Sequence, residues 1–154
     1  MLFTPPKHSI YNMKRKFLCT LVATLPLLAS AQSDSIPFKG HFENEEYGVF
    51  LEINLYEQNI NVPAHELFGP LPGYFGKRRN GFYWLVTDGK PKTKAKAELS
   101  LINDYGSEDL KATLTKRNDS TFVLRQEEGS VLKVPNNGKW LKLPKELELK
   151  KKLR

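Results

Sequence analysis

The chain has 154 residues, 40% of them hydrophobic and 27% charged, with a formal net charge of +7 and one cysteine. Those proportions exclude a collagen-like chain, a coiled coil, a disulfide-stapled mini-protein and a multi-pass membrane protein. They leave one soluble domain with residues enough for a real core, and the charge raises a nucleic-acid reading that its distribution has to support.

Residues 1–31 read as a secretory signal peptide. Lys14, Arg15 and Lys16 form a basic segment, an apolar run extends from Phe17 to Leu28, and Ala29-Ser30-Ala31 supplies the small-x-small pattern a signal peptidase accepts. The run is shorter than the roughly 20 apolar residues a bilayer span needs. Such leaders ordinarily begin with Met and then basic residues, so Met13 is the expected start. Residues 1–12 then read as a misassigned upstream start, the alternative being a true extended basic-side segment that begins at Met1. Cleavage near Ala31-Gln32 places the mature protein in the periplasm or outside the cell. Cys19 lies inside the apolar run rather than after it, which argues against a lipid anchor and leaves 32–154 without cysteine. Disulfides, thiolate catalysis and cysteine-based zinc sites are excluded from the mature chain on that ground.

Partition of the charge removes the nucleic-acid reading. Residues 1–31 carry four basic groups and no acid, 145–154 carry five basic and two acidic groups, and 32–144 carry fifteen of each. The body of the domain is neutral, so nucleic acid is not expected as a partner.

From there the dominant signal is apolar/polar alternation of period two, bounded by turn residues. Asn44-Glu45-Glu46 separates a first strand from Val49, Leu51, Ile53 and Leu55. His41 faces solvent if Phe42 faces the core. One short helical turn is expected near Ala64-His65-Glu66-Leu67. Later strands follow Ala95 to Leu101, Leu110 to Leu114, Phe122 to Leu124, Leu132 to Val134, Leu141 to Leu143 and Leu147 to Leu149. The turns between them include Asp88-Gly89, Asn118-Asp119-Ser120, Glu128-Gly129 and Asn136-Asn137-Gly138, residue types that suit tight reversals. The expected fold is all-β: a small antiparallel meander barrel or a two-sheet sandwich of about eight to nine strands, built from 32–154 as a single domain with a basic C-terminal end. Lys94, Lys96, Glu98 and Lys111 occupy the non-core faces, where an outer-membrane barrel would carry an apolar band; neither they nor the leader provide a membrane span. The up-and-down wrap resembles calycin-type barrels in architecture.

Segment 68–86, FGPLPGYFGKRRNGFYWLV, breaks the alternation with Gly and Pro and gathers aromatics around three cations. Aromatic rings beside fixed cations suit sugar rings, nucleobases or anionic groups. Tyr74, Phe75, Lys77, Arg78, Arg79, Tyr83 and Trp84 are therefore the candidate ligand-binding residues. The plainer reading makes Phe82 to Val86 a central strand and Lys77 to Gly81 a solvated hairpin tip. Lys90, Lys92, Lys94 and Lys96 fall on alternate positions and would share one face of a strand near that loop. There they would form a cationic stripe or, more simply, protect a sheet edge. Asp104-Tyr105-Gly106-Ser107-Glu108-Asp109 lacks the calcium-loop spacing and reads as a hairpin turn. His41 and His65 fit no metal spacing, and no Walker loop, dinucleotide fingerprint or nucleophile elbow occurs, so no cofactor or metal is expected.

The stretches DYGSEDL at 104–110 and GSVLKVPNNGKWLKLPKEL at 129–147, behind a leader ending Ala-Ser-Ala-Gln, resemble small uncharacterised exported proteins of Bacteroides-type bacteria. The resemblance implies export and a bacterial source and carries no activity. Within it Trp140 reads as a core residue and Pro144 as a strand end. The functional expectation is a non-enzymatic binding module for an unknown small molecule, glycan or protein, acting through the aromatic and basic loop. An envelope structural protein pairing through its sheet edges and a carboxylate-based hydrolase are the alternatives.

Overall fold

Ten strands follow one another in a computed structural model that describes residues 2–3 and 36–153. The basic and apolar segments of the leader and its cleavage point lie outside the described residues. The strands are β1 Lys39–Asn44, β2 Val49–Asn54, β3 Gly73–Lys77, β4 Tyr83–Pro91, β5 Lys96–Asn103, β6 Asp109–Lys116, β7 Thr121–Gly129, β8 Lys133–Asn136, β9 Lys139–Lys142 and β10 Glu146–Lys152. A single 3₁₀ turn, Glu66–Phe68, interrupts the long β2–β3 connection where the sequence predicts a helical turn.

The first seven strands form an antiparallel meander. Strand β10 then enters between β7 and β1 and closes an eight-stranded barrel. Of the two expected architectures the barrel is the one observed. The predicted strands at 132–134 and 141–143 are not staves of it; β8 and β9 pair only with each other, Val134 opposite Leu141. Closure leaves the eight barrel strands no free edge, so edge protection does not explain Lys90 to Lys96. Those lysines do not share a strand either. Lys90 lies next to the end of β4, Lys96 begins β5, and a tight turn held by the Thr93 hydroxyl separates them.

Alternation sorts the side chains between interior and outer wall. Phe42, Val49, Leu51, Ile53, Phe75, Trp84, Val86, Ala97, Leu99, Leu101, Leu110, Ala112, Leu114, Phe122, Leu124, Leu147 and Leu149 point inward as one buried cluster. An eight-stranded barrel is about wide enough for side chains to fill, and here four aromatic rings from the strands do so. Phe122 meets Phe42 edge-on at 4.8 Å between centroids and Phe38 at 6.2 Å. The outer wall carries His41, Glu43, Glu52, Glu98, Lys111, Arg125, Glu146 and Glu148, the charged face that strands with one wet side require. Among the described residues no helix is long and apolar enough to cross a membrane.

The β8–β9 hairpin covers one end of the barrel. Leu132, Val134 and Leu143 join the interior cluster, and Leu141 packs against it. Gln126, buried on β7, fixes the hairpin at both ends. Its amide nitrogen donates to the carbonyls of Leu143 (3.3 Å) and Pro144 (2.9 Å), and its oxygen accepts from the Leu132 N–H at 2.7 Å. Trp84 reaches the hairpin from inside, its indole N–H donating to the Lys133 carbonyl at 2.9 Å. Next to this anchor the β6–β7 register shifts between Lys111 and Ala112, leaving Glu127 of β7 as the extra residue of a bulge. Gly129 serves the same corner. Its φ of +99° and the 2.4 Å that would separate a Cβ from the Asp109 carbonyl oxygen both demand glycine.

Candidate binding surface

The aromatic segment 68–86 folds as β3, a turn at 78–82 and the start of β4, the hairpin of the plainer reading. Pairing sets Phe75 directly opposite Trp84 and Tyr74 opposite Leu85. Phe75 and Trp84 face the interior at 0% exposure, so these two expected ligand contacts are core residues. Tyr74 and Tyr83 stand on the outer wall, half-buried, and their rings meet at 5.0 Å. Lys77 is half-buried with its ammonium on the Tyr47 carbonyl at 2.8 Å. Arg78 and Arg79 are exposed at the turn. The seven expected residues therefore divide between core, wall and turn.

On the outer wall of β1 to β4 lies an aromatic band. His41 stacks on Phe50 at 5.5 Å, and Phe50 meets Tyr74 and Tyr83 edge-on at 5.6 and 6.5 Å. Gly76 makes this possible. A Cβ there would stand 2.6 Å from the Tyr83 ring and 3.2 Å from Phe50, so its absence lets Tyr83 lie across β3. His41 bonds two carboxylates, Glu52 through Nδ1 at 2.7 Å and Glu43 through Nε2 at 2.9 Å. That bond holds the Glu43 carboxyl below the usual carboxylate range, with Arg78 and Lys152 contributing. One imidazole thus bridges two glutamates on the outer wall.

The β2–β3 connection, residues 55–72, runs back along this wall. Its ends are tied by Asn54 N–H to the Pro72 carbonyl, and Ile60 and Leu71 bond each other in both directions. Its tip places His65 against Tyr83 and Phe68, at 5.8 and 6.2 Å, and binds Asp104 through Nε2. Nδ1 donates to the Pro63 carbonyl at 2.8 Å. A carbonyl and a carboxylate can only accept, so the imidazolium is the ring form that satisfies both. The Pro63 bond foremost, with Asp104 and Glu66, raises the His65 pKa against the opposing effect of burial. A raised folded value means the stabilisation is complete below the unfolded value of about 6.5 and is lost as pH climbs through the higher folded one. Amide hydrogen exchange of residues 60–71, corrected for intrinsic rates, is expected to quicken relative to the barrel strands between pH 5.5 and pH 8.5. In His65→Gln that pH dependence is expected to vanish. Equal protection at the two pH values in the unsubstituted protein contradicts the latch.

The turn at 104–108 is a hairpin turn as the sequence predicts, organised by Asn103, whose side chain bonds both backbone and side-chain groups of Ser107 and Glu108. Its carboxylates are engaged separately, Asp104 by His65 and Glu108 by Lys133 at 2.9 Å. The lysine bond lowers the Glu108 pKa. Among the described residues no three metal-ligating side chains come together.

Two exposed aromatics, Tyr105 and Trp140, lie at the capped end, while Tyr56 and Phe68 are exposed on the β2–β3 connection. Trp140, expected in the core, is 49% exposed, because Leu141 takes the inward face of β9. Its ring stands edge-on to Phe82 at 4.9 Å, and Phe82 in turn meets Tyr105, 75% exposed, at 5.6 Å. The Lys133 ammonium lies 5.3 Å from the Trp140 ring centroid. Phe82 belongs to the same turn as Arg78 and Arg79, but its ring is buried in the core cluster whereas the two arginines are exposed. Elsewhere, a cleft of about 610 Å³ on the wall of β4 to β7 is lined by Lys90, Lys92, Lys96 and Lys111. It is balanced by Asp88, Glu98, Glu127 and Glu128 and is no cationic stripe. It also lies at the far end of β4 from Arg78 and Arg79.

Comparison with family models, with curated proteins and with solved structures finds no match to this chain. The geometry therefore defines a class and nothing narrower: a closed antiparallel barrel with a filled interior, a charged outer wall and an aromatic rim at its capped end.

Proposed function

We propose that this is an exported, non-enzymatic binding module that recognises its ligand on its surface, at the capped end, rather than inside the barrel. The observation that carries the reading is the pair of exposed rings Tyr105 and Trp140, both packed against the buried ring of Phe82. Tyr and Trp rings left open to solvent are common anchors of surface recognition. The inward side chains of the strands pack as one buried cluster. The leader, with its basic segment, apolar run and small-residue site, supports a periplasmic or secreted location.

The test is a binding screen of the purified protein against soluble polysaccharides, oligonucleotides and fatty acids, repeated with Trp140→Ala/Tyr105→Ala. Loss of whatever binds, with an unchanged circular dichroism spectrum and melting temperature, is expected. Surface truncations of this kind ordinarily change stability by about 0.5 kcal/mol or less. Binding that survives the double substitution refutes the reading.

A further inference from the structure

The chemistry of the platform's surroundings narrows its ligand. Two of its three rings come from segments with no acidic residue at all, 68–87 and 129–145. The first contributes Lys77, Arg78 and Arg79, the second Lys133, Lys139, Lys142 and Lys145. On the β8–β9 hairpin, alternation puts Lys133, Pro135, Trp140 and Lys142 on the face turned away from the core. Lys133 is paired directly across from Lys142, and Pro135 across from Trp140. Like charges in direct cross-strand register are unfavourable. Glu108 relieves one of them, bonding Lys133, while Lys142 forms no ion pair among the described residues. Lys142 thus stands exposed on the same face as the open indole of Trp140.

We propose that this platform binds an acidic glycan, an inference that rests on the surface-recognition reading. A sugar ring lies against the open aromatic surface of Trp140 and Tyr105. The carboxylates or sulfates of the glycan are met by Lys142, on the same face of the hairpin as Trp140. A nucleic acid fits less well. The neighbouring β1–β2 turn at the same end carries Glu45 and Glu46, and residues 32–144 are charge-balanced, whereas a dense polyanion calls for a broad basic footprint.

The experiment is isothermal titration of the purified protein with three probes: hexagalacturonate, uncharged maltohexaose and a twelve-nucleotide single-stranded DNA. Hexagalacturonate is expected to bind, more weakly as salt rises. Trp140→Ala and the charge reversal Lys142→Glu are each expected to weaken it about tenfold or more. Both positions are at the surface, and circular dichroism verifies that each variant is folded. Absence of hexagalacturonate binding at millimolar concentration overturns the proposal, as does tighter binding of the DNA. Equal binding of maltohexaose, lost in Trp140→Ala, overturns the acidic class and leaves the surface reading standing. Hexagalacturonate binding that neither Trp140→Ala nor Tyr105→Ala weakens overturns both.

Discussion

Trp84→Ala is expected to destabilise the barrel by about 3–5 kcal/mol, the usual effect of truncating a buried aromatic. The indole fills the interior at 0% exposure and also spends its N–H on the Lys133 carbonyl. Removing it opens a cavity and leaves that carbonyl without its donor. Trp84→Phe separates the two contributions. It keeps most of the ring and loses the bond, worth about 1 kcal/mol net, plus a small packing deficit. Urea unfolding followed by far-ultraviolet circular dichroism measures both. The contrast with Trp140 is the informative part. Trp140→Ala is expected to shift the midpoint little, because the ring lies on the hairpin's outer face. Comparable losses at the two tryptophans contradict the division between core and platform.

Gln126→Leu is expected to cost about 2–4 kcal/mol, although leucine matches the site in size and apolarity. The glutamine amide is buried and serves three backbone groups on the hairpin's two ends. Leucine leaves the Leu132 N–H and two carbonyls to find other partners, and each buried group left unsatisfied costs about 1–3 kcal/mol. Partial relaxation of the hairpin reduces the sum. The loss should be local in character. Hydrogen exchange is expected to show the greatest deprotection in 130–145, with β2 and β5 changed only by the global shift. Uniform deprotection of all strands contradicts the role of Gln126 as a hairpin anchor.

The inward and outward positions of the strands were legible because alternation is a local property. Val49, Leu51 and Ile53, or Leu99 and Leu101, declare their face within one strand. The same rule extended through 73–86 places Phe75 and Trp84 inside and Tyr74 and Tyr83 outside. Reading that stretch for its aromatic richness instead obscured it. Trp140 is the mirror case, since Leu141 and Leu143 as core positions already assign Trp140 to the other face. Closure was not legible. It depends on β10 pairing with β1, His41 opposite Lys152, more than a hundred residues away. Nothing local distinguishes β8 and β9, which cover the end, from the strands that make the wall. The His65–Asp104 latch and the Phe82–Trp140 contact likewise join residues whose separation in sequence hides them, so the platform emerges only when the ends of several strands are brought together.

The measurement that bears most directly on surface recognition follows the two tryptophan indole N–H signals in a ¹H–¹⁵N spectrum during titration with hexagalacturonate. The chain has only these two tryptophans, one hydrogen-bonded within the barrel and one open at its rim. The Trp140 signal is expected to move progressively to saturation, while that of Trp84 stays in place. Movement of Trp84 with Trp140 unaffected places the ligand inside the barrel and contradicts the account.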